Sequence, residues 1–490
     1  MYNVYITRIK NLRQHPNADR LKLGECFGNT VCVSLDYEDN QLGVYFPSDG
    51  QVSIEFAEAN NLLRKKDDAG NNIGGYMDPV KRNVQAIRLR GEKSDGLFLP
   101  LTSLESFGDI TSLKEGDIVT VFNGKEIACK YIPIRRNTSS AGGGNRVRKK
   151  KVNIAPLFME HADTEQLAYN LNSFRTGDLI EITLKMHGTS QRTGYLPILK
   201  GYKANHPWWQ RVINTLYGKN LKPNSFSEKL LNRALNCAVP IYDYGYVSGT
   251  RRTVLEDYNG GYYGSNAFRE AHSKKFEGLL YKGETVYYEV VGFTDTGSPI
   301  MPSVSNKKLN DKEFVKKYGS DTVFSYGCEP NGCKNDELAV FATNKNGDKL
   351  LSFARLPQSD IYVYRMTMTN PDGEVVEYSY DYMKYRCEQM GVKVVPMFTR
   401  FILDPADLEM DTRTAGEIVK DVAEHYYDGI DPIGKTHWRE GVVVRIVNRP
   451  KFTAYKHKNF TFKVLSNIIV EQAIESGVIN NMSEDEISEL

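Results

Sequence analysis

The sequence predicts an α+β protein in which a strand-rich N-terminal domain precedes a larger domain of strands and helices. At 490 residues, the chain is too long for one ordinary hydrophobic core, so two or three domains are expected. Short apolar runs between turn residues, such as Val31–Leu35, Leu42–Pro47 and Val84–Leu89, predict a small β-barrel or sandwich over residues 1–132. The segment from Asn205 to Ala238, rich in Trp, Asn, Leu and Lys, predicts a helical insertion in the larger domain.

A linker separates the two domains. Residues 137–145 consist of Asn, Thr, Ser, Ala and Gly, which is a composition typical of flexible connections. We therefore place the N-terminal domain at 1–132, a basic Gly/Ser linker at 133–153, the larger domain at 154–470 and an acidic tail at 471–490.

Charge is distributed unevenly along the chain. The net charge is only +2, yet the linker region carries seven basic residues and no acid. The seven are Arg135, Arg136, Arg146, Arg148, Lys149, Lys150 and Lys151. A run of this kind is either solvated or, in a nucleic-acid-binding protein, in contact with phosphates.

The composition also narrows the cellular setting. No stretch of about twenty apolar residues exists, so no membrane span is expected. The N-terminus lacks a signal-peptide pattern, and the seven cysteines are scattered and odd in number. These features predict a cytoplasmic protein in a reducing compartment, and no protein partner is implied.

The segment Lys185–Ser190 places a lysine at the end of the apolar run Leu179–Leu184, immediately before a turn. A lysine that ends a strand is partly desolvated, which disfavours its ammonium form, and a neutral amine is a nucleophile. Gly188 allows a tight turn, and Thr189 follows with a hydroxyl group. This order of residues suits a lysine that attacks a phosphate, although an exposed strand-end lysine would give the same pattern.

Three later segments complete an ordered set: Tyr287–Gly292, His437–Arg445 and Phe462–Ser466. Together with Lys185–Ser190, they resemble motifs I, III, IV and V of the covalent lysine nucleotidyltransferases, which comprise ATP-dependent ligases and mRNA-capping enzymes. The form K-x-H-G-T-S resembles the RNA ligases, because DNA ligases and capping enzymes usually carry K-x-D-G at motif I.

The N-terminal domain carries a looser resemblance. His15–Leu21 and Arg88–Leu97 look like parts of OB-fold tRNA-binding modules and of the OB domain that precedes the catalytic domain in one branch of RNA ligases. The combined resemblance implies an OB-like β-barrel that binds RNA. An antiparallel-sheet, ATP-grasp-like nucleotidyltransferase domain with helical insertions would follow it.

The resemblance implies a three-step reaction with Lys185 as the nucleophile. Lys185 would attack the α-phosphorus of ATP to form lysyl-AMP, and the AMP would pass to an RNA 5′-phosphate. An RNA 3′-hydroxyl would then attack that end and release AMP. ATP is thus the expected AMP donor, RNA the expected partner, and Mg²⁺ or Mn²⁺ the expected metal ion.

The same resemblance assigns roles to further residues. The expected nucleotide-binding residues are His187, Gly188, Thr189, Glu289, Lys463, Lys458 and Lys456. Motif V points first to Lys463, but the sequence leaves open whether Lys456 or Lys458 takes one of its roles. The expected metal-binding residues are Glu440 and Glu289. The expected contacts for the RNA 5′-phosphate are Arg192 and either Arg251 or Arg252, with a slight preference for Arg252.

Two alternative functions remain open at the level of sequence. One is a capping guanylyltransferase or DNA ligase, which His187 and the lack of an obvious OB domain after motif V disfavour. The other is a non-catalytic RNA- or tRNA-binding protein with a decayed ligase domain, which the intact Lys185, Glu289, Glu440 and Lys463 disfavour.

Overall fold

The computed structural model describes most of the chain. The described residues are 2–67, 70, 73–132, 153–161, 164–255, 258, 266–294, 300–301, 305–309, 312–318, 340–343, 349–352, 359–404, 411–433 and 437–475. The linker up to residue 152, with its basic run, and residues 476–490 of the acidic tail lie outside these residues.

None of the helices in this described part combines the length and the apolar character that crossing a bilayer requires.

The N-terminal domain consists of short strands around two buried apolar clusters. The strands are β1 (Tyr5–Arg8), β2 (Lys10–Gln14), β3 (Leu21–Cys26), β4 (Asn29–Ser34), β5 (Leu42–Phe46), β6 (Gly50–Val52), β7 (Asn83–Val84), β8 (Ala86–Leu89), β9 (Glu92–Asp95), β10 (Leu97–Pro100), β11 (Val121–Phe122), β12 (Lys125–Glu126) and β13 (Ala128–Lys130). Helix α1 (Ile54–Ala59) follows β6, and a 3-10 helix spans Leu101–Phe107. Val44 and Phe46 of β5 pack with Phe56 of α1 in the larger cluster, and Tyr45, between them on β5, belongs to the other.

The strands of this domain form several small sheets. Their orders are β1-β5-β10, β13-β6-β7, β2-β3-β4, β8-β9 and β11-β12. Within residues 2–67 and 73–132, pairing does not close these sheets into one barrel, so the OB-like barrel predicted from the sequence is not confirmed. Ahead of β11, Ile118 forms a single bridge with Tyr5 of β1.

The larger domain is built on two sheets that are mainly antiparallel. The first has the order β14 (Glu165–Gln166), β26 (Thr453–Lys458), β25 (Gly441–Ile446), β15 (Leu179–Lys185) and β24 (Met397–Ile402), with only β14 and β26 parallel. The second has the order β17 (Ala238–Gly249), β16 (Thr189–Ala204), β18 (Glu284–Gly292), β21 (Ser359–Thr369) and β22 (Val375–Glu377), and β23 (Lys393–Val394) pairs with β21. A separate hairpin joins β19 (Val340–Thr343) and β20 (Lys349–Ser352).

Helices surround these sheets. They are α2 (Pro207–Leu216), α3 (Phe226–Asn236), α4 (Ala267–Lys274), α5 (Lys312–Tyr318), α6 (Tyr380–Met390), α7 (Ala415–Tyr427) and α8 (Phe460–Glu475), with 3-10 helices at Leu167–Tyr169, Leu171–Ser173 and Asn306–Leu309. Helices α2 and α3 confirm the helical insertion predicted between Asn205 and Ala238.

The alternation of β15 determines which face of the first sheet is polar. Ile180 and Ile182 are buried in the core that contains Val419 of α7. Successive side chains of a strand point to opposite faces, so Thr183 and Lys185 lie on the other face. The sequence pattern thus directs Lys185 away from the apolar core.

The two domains meet along α8. Ala86 of β8 packs with Phe460, Phe462 and Leu465 of that helix in one buried apolar cluster. Since α8 directly follows β26, the N-terminal domain contacts the segment that carries motif V.

Candidate active site

Strand pairing brings two of the predicted lysines into one row. Lys185 ends β15 opposite Gly441 of β25, and Gly441 lies opposite Lys458 of β26. Side chains of paired residues on neighbouring antiparallel strands share a face, and Gly441 leaves the middle of the row open. A Cβ atom on Gly441 would lie 2.0 Å from the His457 carbonyl oxygen, and its φ is +147°. Only glycine fits this position, and its absent side chain lets the two lysines converge.

Glu440, one residue before this row, is the point on which the lysines converge. Its Oε1 lies 2.7 Å from Lys185 Nζ and 3.2 Å from Lys458 Nζ. Its Oε2 lies 3.6 Å from His187 Nδ1. Burial alone would raise the pKa of Glu440, but the charges of Lys185 and Lys458 outweigh it and hold the pKa well below its ordinary value. Glu440 is therefore a carboxylate at neutral pH.

Lys456 and Lys458 lie two residues apart on β26 and so share its polar face. Burial, followed by the nearby charges of Lys458 and Lys185, lowers the pKa of Lys456 to about 7. Burial would also lower the pKa of Lys458, but the negative charges of Glu440 and Asp49 raise it above the ordinary value. On β26, Lys458 is thus charged at neutral pH, whereas Lys456 is only partly protonated there.

His187 lies between Glu440 and Phe462 of α8 and contacts both. It is buried, and its ring meets that of Phe462 edge to face with centroids 4.7 Å apart. Burial lowers the pKa of His187, and the bond to Glu440 only partly offsets this effect. His187 is therefore neutral at pH 7 and links motif I to the first turn of α8.

Gly188 brings the turn after Lys185 against the second sheet. A Cβ atom at Gly188 would lie 2.4 Å from the Val290 carbonyl oxygen and 2.8 Å from Cγ of Glu289. Ser190 then pairs with Glu289 in the register of β16 and β18. This close approach places the half-buried Glu289 beside the motif I turn.

Arg269 on α4 is a positioning residue that sequence reasoning missed. It is buried, and its guanidinium donates to the Thr189 Oγ1 at 2.6 Å and to the Ser190 carbonyl at 3.1 Å. Thr189 of motif I is thus held by a residue that lies outside the motif. No motif surrounds Arg269 in the sequence, so only the packing of α4 on β16 reveals its role.

Arg192, predicted to contact the RNA 5′-phosphate, lies beside the turn at Thr250–Arg252. It is buried, and its guanidinium donates to the backbone carbonyls of Phe158, Thr250 and Arg252, the last two at 3.0 and 3.4 Å. These bonds favour a role in shaping the turn at Thr250–Arg252 over a direct contact with an RNA phosphate.

Arg251 and Arg252 stand on that turn. Arg251 is half-buried, and its charge is among those that act on Lys458. Arg252 is exposed. Of these two arginines, Arg251 is therefore the one whose charge is felt at Lys458.

Lys463 has a different ion-pair partner from Lys185 and Lys458. Its Nζ bonds Oδ2 of Asp95, at the end of β9 in the N-terminal domain, at 2.6 Å. Both side chains are largely buried. Of the three alternatives for motif V, Lys456 and Lys458 therefore lie near Lys185, whereas Lys463 joins the two domains.

The arrangement suits a chain of phosphates. Three lysines and one carboxylate leave an excess of positive charge on the polar face, and one of the lysines can act as a nucleophile. Nowhere in the described ranges do three or more His, Cys, Asp or Glu side chains come together to hold a metal ion. A divalent ion at Glu440 or Glu289 would therefore also need phosphate oxygens and waters, as magnesium commonly does.

No protein-family model matches this chain, and no curated protein matches it either. Solved structures of Naegleria gruberi RNA ligase are similar to it. An apo mutant shares 16% sequence identity at a TM-score of 0.49, covering 94% of this chain and 96% of that chain. A mutant with ATP and Mn shares 14% at a TM-score of 0.47, covering 97% and 98%. The ligase with PPi shares 15% at a TM-score of 0.48, covering 96% and 98%.

Proposed function

We propose that this protein is an ATP-dependent RNA ligase that joins RNA 3′-hydroxyl and 5′-phosphate ends through a lysyl-AMP intermediate. The convergence of Lys185 and Lys458 on Glu440, with Lys456 on the same face, is the observation that carries the proposal. It supports nucleotidyl transfer because a strand-end amine stands among cations able to hold the phosphates of ATP. The K-x-H-G-T-S form of motif I favours RNA over DNA ligation.

In the first step, Nζ of Lys185 attacks the α-phosphorus of ATP. The ammonium releases one proton beforehand, and the nitrogen loses a second as the P–N bond forms and the bond to pyrophosphate breaks. Lys458, and Lys456 once protonated, neutralise charge on the phosphates during this displacement. Glu440 holds Lys185 and Lys458 in position for it.

In the second step, an oxygen of the RNA 5′-phosphate attacks the phosphorus of lysyl-AMP, and the P–N bond breaks. Lys185 regains a proton and leaves as an amine. In the third step, an RNA 3′-hydroxyl attacks the adenylylated 5′ end, loses its proton and expels AMP. Arg251, placed near Lys458, is the residue that we assign to the 5′-phosphate.

The carboxylates fit a divalent metal ion. Glu440 beside Lys185, and Glu289 beside the Gly188 turn, offer the hard oxygen donors that Mg²⁺ and Mn²⁺ take. Such an ion, when bound, supplies positive charge to the phosphate groups. Substitution of Glu289 by Ala should raise the metal concentration needed for half-maximal adenylylation, and an unchanged requirement would remove Glu289 from this role.

The test is to incubate the protein with ATP or GTP labelled at the α-phosphate and then to separate it under denaturing conditions. We expect label from ATP only, and none on Lys185→Ala. The same variant should still seal RNA that is already 5′-adenylylated, because that step does not use the lysine nucleophile. Label from GTP would indicate a capping enzyme, and label from neither nucleotide would indicate a binding protein.

A further inference from the structure

A long two-stranded ribbon leads away from the candidate active site. Strand β16 begins at Thr189, directly after motif I, and runs to Ala204. Strand β18 pairs only with its first part, Thr189–Gly194, whereas β17 pairs with it as far as Ala238 opposite Ala204. The rest of the ribbon therefore extends beyond β18. We name residues 196–247, the ribbon with α2 and α3 at its tip, the arm.

The arm is basic, whereas the rest of the chain, taken together, carries a net charge of −3, since the total is +2 and the arm contributes +5. It carries seven Lys and Arg residues against two acids, a net charge of +5 in a chain whose total is +2. All seven are exposed: Lys200, Lys203, Arg211, Lys219, Lys222, Lys229 and Arg233. Exposed charge of one sign on a projecting element is the electrostatic pattern of a surface that binds nucleic acid.

A cavity of about 270 Å³ opens between the ribbon and α2. Tyr202 and Tyr217 line it with rings 5.2 Å apart in an edge-to-face arrangement. Ile213 and Ile241 add apolar walls. Stacking aromatic rings and apolar walls suit the flat face of a nucleobase.

Polar groups stand at the same cavity. Lys200 and Asn214 line it. The register of β16 and β17 shifts between Leu199 and Gly201, so Lys200 lies on a bulge. Bulges redirect side chains, and here the bulge adds a cation to an aromatic cavity. Asn214 offers the amide that commonly reads a base edge.

We propose that this cavity binds an unpaired nucleobase of the RNA strand whose end occupies the active site. Lys200 contacts the adjacent phosphate, and the other exposed lysines and arginines of the arm follow the backbone. The inference rests on the proposed ligase function and deepens it, because it defines the substrate as a strand with single-stranded RNA at a distance from the joined end.

The geometry gives that distance. From Thr189 to Lys200, a strand rising about 3.3 Å per residue spans about 36 Å. A stack of roughly eleven nucleotides, at about 3.4 Å per nucleotide, is as long as this span. RNA of about 20 nucleotides reaches the cavity, and RNA of about 4 nucleotides does not.

The experiment measures transfer of AMP from the full-length protein to 5′-phosphorylated RNA of these two lengths. Tyr217→Ala should lower kcat/KM on the longer RNA by about five- to a hundredfold, the usual value of one base stacked on an aromatic ring. On the shorter RNA the variant should match the unmodified protein. Tyr217→Phe, which keeps the ring, should stay within about twofold on both.

Tyr385→Ala is the matched control, since Tyr385 is an exposed tyrosine on α6, outside the arm. Two of the three tryptophans, Trp208 and Trp209, lie on α2, so RNA that enters the cavity should also change the intrinsic fluorescence. Lys200→Ala should reduce the salt slope of binding to the longer RNA by about 0.7.

Three results would overturn the proposal. The first is equal activity of Tyr217→Ala and the unmodified protein on the longer RNA, and the second is an equal loss on both lengths. The third is the absence of any further fluorescence change when the longer RNA is added to protein already saturated with AMP, because AMP in the active site lies near Trp438 and accounts for that tryptophan's signal. Lysyl-AMP formation from ATP is measured in parallel and should be the same in every variant. Its absence from the unmodified protein would refute the ligase function, whereas the RNA-binding comparison would still decide the role of the arm.

Discussion

Lys456 should make nucleotide binding depend on pH. Its pKa of about 7 arises from burial and from the like charges of Lys458 and Lys185. At pH 8.5, such a group carries a proton in only about 3% of molecules. A bound triphosphate brings negative charge that favours the ammonium form. Binding at this pH should therefore draw a proton from solvent onto Lys456.

The size of the effect follows from the pKa. Each unit between the pKa of the free protein and the pH costs about 1.4 kcal/mol, so protonation at pH 8.5 costs about 2 kcal/mol. The Kd for nucleotide should rise by nearly tenfold per pH unit above about pH 8, and by about sixteenfold between pH 7, where half of the lysines already carry a proton, and pH 8.5. Below about pH 6.5 the lysine is charged before binding, and its contribution to the pH dependence should vanish.

Isothermal titration calorimetry tests this prediction. The ligand is an ATP analogue with a methylene group between the α- and β-phosphorus atoms, which lysine cannot cleave. Titrations at pH 8.5 in two buffers of different ionisation enthalpy should show uptake of close to one proton. Lys456→Arg keeps its charge at every pH and should show no uptake. The absence of uptake in the unmodified protein, or equal uptake in Lys456→Arg, would refute the reasoning.

Three further substitutions have defined outcomes. Glu440→Gln leaves two partly buried lysines without their counter-charge. It should lower the free energy of unfolding by about 3 kcal/mol in denaturant titrations, and it should also lower the rate of adenylylation. Gly441→Ala forces a methyl group onto the His457 carbonyl, so it should lower both the midpoint of thermal unfolding and the extent of ATP labelling. A variant with the same midpoint and the same labelling as the unmodified protein would contradict the strand register. Asp95→Asn breaks the ion pair with Lys463 and should lower the free energy of unfolding by about 3 kcal/mol. Lysyl-AMP should still form. Loss of labelling in a folded variant would instead show that this ion pair has a catalytic role.

Local patterns in the sequence predicted the parts of the site that depend on near neighbours. Lys185 ends an apolar strand before a glycine turn, and both features can be read from a few residues. The helical insertion between Asn205 and Ala238 was predictable for the same reason. Alternation along β15 also determines the face on which Lys185 lies.

The remaining features depend on contacts between distant segments. The choice among Lys456, Lys458 and Lys463 follows from the register of β25 and β26, which places Gly441 opposite Lys458. No short motif encodes that register. Arg269 reaches Thr189 only because α4 packs on β16.

The fold of the N-terminal domain also depends on contacts between distant segments, which the sequence pattern does not encode. Its strands were predicted in the right region, but the sequence pattern did not determine how they pair. The expectation of a closed barrel therefore gave way to several small sheets over the described part of residues 1–132.

The most direct test of the central claim is to locate AMP on the protein. After incubation with ATP and a divalent metal ion, the chain is digested and its peptides are analysed by mass spectrometry under conditions that preserve phosphoramidates. We predict an AMP adduct on the peptide that contains Lys185, with none on peptides containing Lys456, Lys458 or Lys463. Lys185→Arg should carry no adduct, because a guanidinium stays protonated and is not a nucleophile. An adduct on another lysine, or its persistence in Lys185→Arg, would contradict the assignment of Lys185 as the nucleophile.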